Sequence, residues 1–295
     1  MIKRAHLLAL VALTLMWGVN WPMMKLSLRE LTPLYFRALT MSCGAFWLYL
    51  FYLARGVRML PRGAEWGSIV KLGLPNMLGW HTASILGVKE LASGRAAILG
   101  FTMPIWTVLI SVLFLGEKLT RRVAFAAVSV AIAIALLSSV EFTALSGRPL
   151  GIVWMEIAAL FWAIGTLMMR RAQLTLPVEA LTVWMMVLAS VCLWVFAWSS
   201  EPAPRWQFSG AMWTSLVYSV FINYGFAQII WTVLARNLPP ATSAMGIMAV
   251  PMVGTLSATL IIGEWPHWQD LVALLFVASA IAAVLLPSQR KSESA

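Results

Sequence analysis

The sequence predicts an all-α membrane protein with ten transmembrane helices, arranged as two inverted five-helix repeats around a central cavity. Three observations lead to this prediction. Hydrophobic residues make up 61% of the 295 residues and charged residues only 11%, a composition typical of polytopic membrane proteins. The apolar residues occur in segments of about 20, the length that crosses a hydrocarbon core. The same pattern occurs twice along the chain.

The second copy follows the first at a constant offset of 147 residues. Residues 91–136 align without a gap on residues 238–283 and match at 13 of 46 positions. The most informative matches are Pro104 with Pro251, Gly116 with Gly263 and Glu117 with Glu264. We therefore divide the chain into repeats 1–145 and 146–295. Because each repeat has an odd number of helices, the second copy enters the bilayer in the opposite direction.

Hydropathy windows of about 19 residues set the positions of the helices. The windows predict helices near residues 5–24, 33–54, 66–88, 93–115, 122–140, 150–171, 177–199, 209–232, 241–263 and 267–287. With a cytoplasmic N-terminus, 14 Lys and Arg lie on the cytoplasmic side and seven on the other. This excess follows the positive-inside rule and predicts both termini in the cytoplasm. We expect the protein to lie in a bacterial inner membrane.

The net charge of +10 does not indicate nucleic-acid binding, because the cations are scattered through short loops. The partners that we expect are a small molecule and the lipid bilayer. The two cysteines, Cys43 and Cys192, lie inside predicted helices and form no disulfide framework. The sequence leaves the oligomeric state open, including a monomer.

Polar residues inside apolar segments indicate a site at membrane depth, because unsatisfied polar groups are costly in lipid. The third helix contains Asn76 and His81, and the eighth contains Asn223, Tyr224 and Gln228. Asn76 and Asn223, and likewise His81 and Gln228, are separated by the repeat offset. These residues either line the cavity or join helices through hydrogen bonds.

Charged residues within the spans have alternative interpretations. Glu156, the carboxylate clearly inside a span, either binds a substrate ammonium group or a proton, or lies in a wet mouth near Arg148. His81 either relays protons or is a neutral hydrogen-bonding residue. For Arg37, at the end of the second helix, we favour a snorkelling or salt-bridged side chain over a carboxylate clamp.

Aromatic residues divide into two sets. Four tryptophans near helix ends are interpreted as an interfacial belt: Trp66, Trp198, Trp206 and Trp213. Six residues lie deeper: Trp17, Trp21, Trp80, Phe101, Trp162 and Tyr224. An aromatic wall would accept apolar side chains by area burial and a cation by its ring faces. Ordinary helix packing is the alternative for each of the six.

Pro104 and Pro251 break the hydrogen-bond ladder in equivalent helices and are predicted to act as gate hinges. The pairs Gly116, Glu117 and Gly263, Glu264 are predicted to end those helices rather than to bind anything.

The prolines, the Gly-Glu pairs and the cluster Trp17, Gly18, Asn20 and Trp21 resemble the EamA family of the drug/metabolite transporter superfamily. The resemblance covers essentially the whole chain, and the aromatic-rich helices are most similar to aromatic amino acid exporters of the YddG type. It implies a cavity lined by helices one, three, four, six, eight and nine. It also implies export from the cytoplasm without ATP, cofactor or metal.

We therefore expect an exporter of amino acids, with aromatic or large apolar ones favoured, working by alternating access. Export of another metabolite or a drug is the alternative within transport. An intramembrane enzyme would need paired carboxylates, a metal cluster or an activated nucleophile, and the sequence contains none of these patterns. A passive channel is a third class, which saturable flux would exclude.

Overall fold

The computed structural model describes residues 4–143, 149–237 and 249–285, and this part of the chain is helical without strands. The α-helices are α1 (Arg4–Ser27), α2 (Pro33–Ala54), α3 (Trp66–Gly73), α4 (Trp80–Glu90), α5 (Ser93–Gly100), α6 (Met103–Phe114), α7 (Arg121–Thr143), α8 (Pro149–Arg171), α9 (Val178–Ser200), α10 (Gly210–Val217), α11 (Gln228–Asn237), α12 (Val250–Ile262) and α13 (Trp268–Leu285). A 3₁₀ turn, Gly63–Glu65, precedes α3.

Seven helical stretches in the described ranges are long and apolar enough to cross a membrane. They are Arg4–Ser27, Pro33–Ala54, Ser93–Phe114, Arg121–Ser139, Pro149–Arg171, Val178–Ser200 and Gly210–Leu234. Two shorter apolar helices, Val250–Ile262 and Trp268–Ala283, follow them. The first residues of the predicted helix 241–263 lie outside the described residues. The chain is therefore a multi-pass membrane protein.

Two of the helices predicted as continuous contain π-helical segments. Leu74–Gly79 joins α3 to α4, and Tyr218–Ala227 joins α10 to α11. Shifted by the repeat offset of 147, the first segment falls within the second. A π segment inserts extra residues into the helix and recurs at functional sites. The hydropathy windows contained no signal for it, because mean hydropathy depends on which residues are present and not on their backbone hydrogen bonds.

Helix contacts in the first half of the chain recur in the second half. Helix α1 packs against the second π segment and α12, and α8 packs against the first π segment, α5 and α6. Helix α2 packs against α9, and α7 packs against α13. Exchanging the halves maps this set of contacts onto itself.

Large apolar side chains cover the outer surface of the bundle. Leu113, Phe114 and Leu260 are 72%, 78% and 85% exposed. In water such a surface would favour aggregation, whereas lipid solvates it. The four tryptophans predicted for the interfacial belt are all exposed near helix ends.

The Gly-Glu pairs end their helices as predicted. Gly116 and Gly263 both have φ of +73°, a left-handed conformation that costs glycine little. The N–H of Glu117 donates to the Ser111 carbonyl at 3.2 Å, and that of Glu264 to the Ala258 carbonyl at 3.3 Å. The conformation is the same in both copies.

Glu65, which precedes α3, joins two loops at one end of the bundle. Its carboxylate accepts hydrogen bonds from Arg58 at 2.7 Å, from the Arg62 N–H at 2.7 Å and from the Thr175 hydroxyl at 2.8 Å. These bonds, that from Arg58 foremost, lower the pKa of Glu65 from 4.5 to about 2. The ionised carboxylate is therefore favoured by the folded state.

A carboxyl group whose pKa is depressed in the folded state stabilises the fold above its ordinary pKa. We expect Glu65→Gln to unfold at a lower temperature than the wild type at pH 7. The difference should shrink as the pH falls from 4.5 towards 2, because the wild type then loses its ionised group. Thermal unfolding of both proteins across this pH range is the measurement, and a constant difference would contradict it.

Candidate functional site

Aromatic side chains from four helical spans meet in the interior and form the aromatic cluster: Trp21, Trp80, Phe101 and Trp162. The Trp80 and Trp162 ring centroids are 4.6 Å apart, and those of Phe101 and Trp162 are 6.0 Å apart. Gly100 lies under the cluster: a Cβ there would be 3.0 Å from the Trp21 ring and 3.2 Å from the Trp80 ring. The structure thus brings these four predicted residues together, and their contact with a substrate stays a prediction.

A polar group adjoins the cluster through His81, the residue after Trp80. The His81 ring lies 5.5 Å from the Tyr224 ring, and the Tyr224 hydroxyl is 3.3 Å from the Nδ1 of His81. Tyr224 lies in the second π segment and is 3% exposed. Gly44 on α2 permits this position, because a Cβ there would be 2.5 Å from the Tyr224 Cβ.

Glu156 adjoins the cluster from α8. Its carboxylate accepts a hydrogen bond from the Trp106 indole N–H at 2.7 Å and from the Thr102 hydroxyl at 3.2 Å. Thr102 lies in the turn between α5 and α6, directly after Phe101. The alternative neighbour, Arg148, lies outside the described residues. The structure therefore gives Glu156 two neutral hydrogen-bond donors, and its role as a proton or ammonium site stays a prediction.

The other predicted site residues are less closely joined to the cluster. Asn76 donates to the Leu72 carbonyl at 2.9 Å and packs against α8 at Gly165, where a Cβ would be 2.4 Å from its amide oxygen. Asn223 and Gln228 are half-buried, and no hydrogen bond of their side chains involves a described residue.

Trp17, the remaining predicted contact, stacks obliquely on Trp231 with ring centroids 5.5 Å apart. It lies one turn of α1 before Trp21. This pair extends the aromatic surface towards α11. Whether Trp17 contacts a substrate stays a prediction.

Pro104 and Pro251 occupy equivalent positions in the two copies. Each lies in the first turn of a helix, α6 or α12, where a missing N–H is tolerated. The chain before Pro104 leaves the helix at Phe101 and Thr102. The fourth span is thus interrupted rather than kinked, and the interruption lies beside the cluster. The hinge role stays a prediction.

Arg37 does not snorkel and forms no ion pair within the described residues, contrary to our expectation. It is 3% exposed, and its Nη1 donates to the Tyr224 hydroxyl at 3.2 Å. The signal that could have identified it is an arginine four residues inside a predicted span that is otherwise apolar.

One end of the bundle, which we call the Lys25 end, is closed by charged hydrogen bonds. The Lys25 ammonium donates to the Val88, Lys89 and Leu91 carbonyls at 2.8, 2.9 and 2.8 Å, where α4 ends. Such a cation stabilises a helix C-terminus.

Two contacts at the Lys25 end connect the halves of the chain. Glu264 accepts from the N–H and hydroxyl of Ser93, both at 2.7 Å, so it caps α5. Arg95 pairs with Asp270 at 2.8 Å, and both are about 6% exposed.

A sequence model of the EamA-like transporter family matches residues 4–139 and 149–286. The two segments together cover nearly the whole chain. The chain belongs to the EamA-like transporter family. It is therefore a membrane transporter, and the family predicted from the sequence is confirmed.

Curated relatives of this EamA transporter agree with that assignment. The uncharacterized transporter YoaV of Bacillus subtilis is 24% identical over 84% of this chain and 85% of its own. The uncharacterized inner membrane transporter YedA of Escherichia coli is 25% identical over 94% and 90%. A crystal structure of another protein superposes with a TM-score of 0.68 at 20% identity, covering 96% of both chains. These similarities establish the fold and the class, and they identify no substrate.

Proposed function

We propose that this EamA transporter exports amino acids, with aromatic and large apolar ones favoured, from the cytoplasm by alternating access. It would act as a transporter and not as an enzyme. It would lie in a bacterial inner membrane with both termini in the cytoplasm. The observation that carries the proposal is the aromatic cluster, which adjoins polar groups at His81 and Glu156.

The substrate preference rests on the chemistry of the cluster. Aromatic rings bury large apolar side chains and favour other rings in offset or edge contacts. The Trp80, Trp162 and His81 rings are partly exposed, so a ligand can touch them. An ammonium group is attracted by indole faces and by a carboxylate such as Glu156. Aromatic amino acids combine these features.

The transport mechanism rests on the repeated architecture. We propose ten transmembrane helices in two inverted repeats, residues 1–145 and 146–295, around a central cavity. The repeated helix contacts and the paired π segments support this arrangement. An inverted duplication gives two related closures, which open one site alternately to either side.

The Lys25 end supports a specific state in that cycle. Under the proposed topology this end faces the outside of the cell. Glu264 with Ser93 and Arg95 with Asp270 hold the two repeats together there. We assign this conformation to the half of the cycle in which the outer end is closed.

We expect liposomes containing the purified protein to take up labelled phenylalanine saturably and faster than threonine. If Asn223 and Gln228 line the route, replacing both by Leu should lower the flux. The fold should tolerate the change, because these amides have no described hydrogen-bond partner to lose. Replacing exposed Phe114 by Leu is the matched control on the lipid-facing surface. Unchanged flux in the double variant would remove the two amides from the site.

The same vesicles separate the alternatives. Phenylalanine flux that ignores an imposed proton gradient would support facilitated export and demote Glu156 and His81 as proton carriers. Gradient-driven flux would support them. Flux of a non-amino-acid metabolite without any amino acid flux would refute amino acid export and favour the metabolite or drug alternative. A lack of saturation would favour a channel.

A further inference from the structure

Arg37 is a buried cation in a membrane-embedded helix. It lies in the second turn of α2 and is 3% exposed. A charged side chain at membrane depth is costly, and arginine keeps its charge in proteins. Burial without a counter-ion is retained in a fold only when something compensates for it. The structure provides little such compensation.

The hydrogen-bond partners of Arg37 among the described residues are neutral. Nη1 donates to the Tyr224 hydroxyl at 3.2 Å, and Nη2 donates to the Ser84 hydroxyl at 3.3 Å and to the Met24 sulfur at 2.8 Å. The Nε–H is buried and has no partner in the described part of the chain. No described carboxylate lies within salt-bridge distance of Arg37.

The unsatisfied edge of this guanidinium matches a carboxylate. Nε and Nη2 share one edge, which carboxylates bind through two parallel hydrogen bonds. In the structure this edge has an unpartnered Nε–H, a long bond to Ser84 and a thioether, which is a weak acceptor. Met24 is unbranched, and such side chains repack at low cost. A ligand carboxylate could therefore replace the thioether and satisfy Nε.

The same arginine is connected to the aromatic cluster. The Tyr224 hydroxyl lies between Arg37, at 3.2 Å, and the Nδ1 of His81, at 3.3 Å. The His81 ring in turn lies beside the Trp80 ring, with centroids 6.4 Å apart. An anionic group at Arg37 would thus lie at the Lys25 end of the apolar surface.

We propose that Arg37 binds the carboxylate of the transported molecule and that the Tyr224 hydroxyl positions the guanidinium. This inference rests on the proposed function and restricts the substrates to molecules that combine a carboxylate with an apolar group. The competing explanation is that Arg37 only fastens α2 to its neighbours.

The test compares ligands that differ only in the carboxylate. The probes are phenylalanine against phenylalaninamide, and 3-phenylpropionate against 3-phenylpropanamide. Affinities for the purified full chain come from tryptophan fluorescence titration, and thermal unfolding reports folding separately. The variants are Arg37→Gln, Arg37→Lys and Tyr224→Phe. Arg29→Gln is the matched control, because Arg29 lies just after the C-terminal end of α1 and is exposed.

We expect the wild type to bind each acid about 10- to 100-fold more tightly than its amide, the range for hydrogen bonds to charged groups. Arg37→Gln should reduce that ratio to about one by weakening the acid alone. Tyr224→Phe should reduce the ratio partly, and Arg29→Gln should preserve it. If Arg37→Gln does not fold, the acid-to-amide affinity ratio of the wild type is compared with that of Arg37→Lys. A lower ratio in Arg37→Lys supports the inference.

Equal binding of acid and amide by the wild type would overturn the inference, as would an unchanged ratio in a folded Arg37→Gln that is merely less stable. Absence of binding by both acids would overturn it too. The proposed function fails in a different way. Tight binding of 3-phenylpropionate without phenylalanine flux would refute amino acid export and support the carboxylate site. Equal flux of phenylalanine and its amide would support amino acid export and refute the carboxylate site.

Discussion

Replacing Asp270 by Asn should lower the free energy of unfolding by about 3–5 kcal/mol, the cost of leaving a buried charge without its partner. Asp270 and Arg95 pair at 2.8 Å with about 6% exposure each. The variant keeps the shape of the side chain and removes its charge. The Arg95 guanidinium would then remain buried beside a neutral amide. Thermal or denaturant unfolding of the purified protein measures the loss.

The double variant Arg95→Gln with Asp270→Asn is the matched control. Because it removes both charges, it should recover most of the stability that the single variant loses. If the pair also holds the Lys25 end closed, both variants should label faster with a water-soluble reagent at a cysteine placed at Ser93. A double variant that is no more stable than Asp270→Asn would contradict this explanation.

Gly44→Ala should destabilise the protein by about 1–3 kcal/mol, the usual cost of overpacking a core. A Cβ at this position would be 2.5 Å from the Tyr224 Cβ and 3.1 Å from its Cγ. Since both atoms are close to the backbone, α2 and the second π segment must separate to relieve the contact. The Tyr224 hydroxyl would then move relative to Arg37 and His81. We therefore expect weaker phenylalanine binding as well.

Gly67→Ala tests whether the effect comes from the contact. Gly67 lies in α3, and a Cβ there meets nothing within 4 Å. Alanine is the better helix former by about 1 kcal/mol, so this variant should match or exceed the wild type in stability. Loss of stability at Gly44 with none at Gly67 supports the packing explanation. Similar losses at both positions would contradict it.

Local sequence signals predicted the features that depend on few neighbours. The Gly116 and Gly263 helix ends were predictable, because a left-handed C-terminal residue is a property of one residue type. The four aromatic residues of the cluster were among those that the sequence singled out, since the family resemblance places their helices around a proposed cavity. The sequence did not indicate which rings touch. Trp17 stacks on Trp231, whereas Trp80 stacks on Trp162.

Features that depend on distant partners were misjudged or missed. Glu264 looked like a helix end and is also the cap of α5, 171 positions away. Trp106 and Thr102 were not connected to Glu156 until the fold brought α5, α6 and α8 together. Arg37 was assigned to the interface from its place near a helix end. Its environment comes from Met24, Ser84 and Tyr224 on three other spans.

The sequence by itself determined that this protein is a multi-pass helical membrane transporter with a duplicated chain. Span length, apolar composition and the 147-residue offset are properties of the chain that do not depend on its folding. Only the tertiary structure decided where the helices are interrupted and which polar groups remain unsatisfied. The physical reason is that backbone and side-chain hydrogen bonds in a membrane must be completed within the protein. Their partners come from spans far apart in sequence, and the position of Arg37 beside the aromatic cluster follows from that packing.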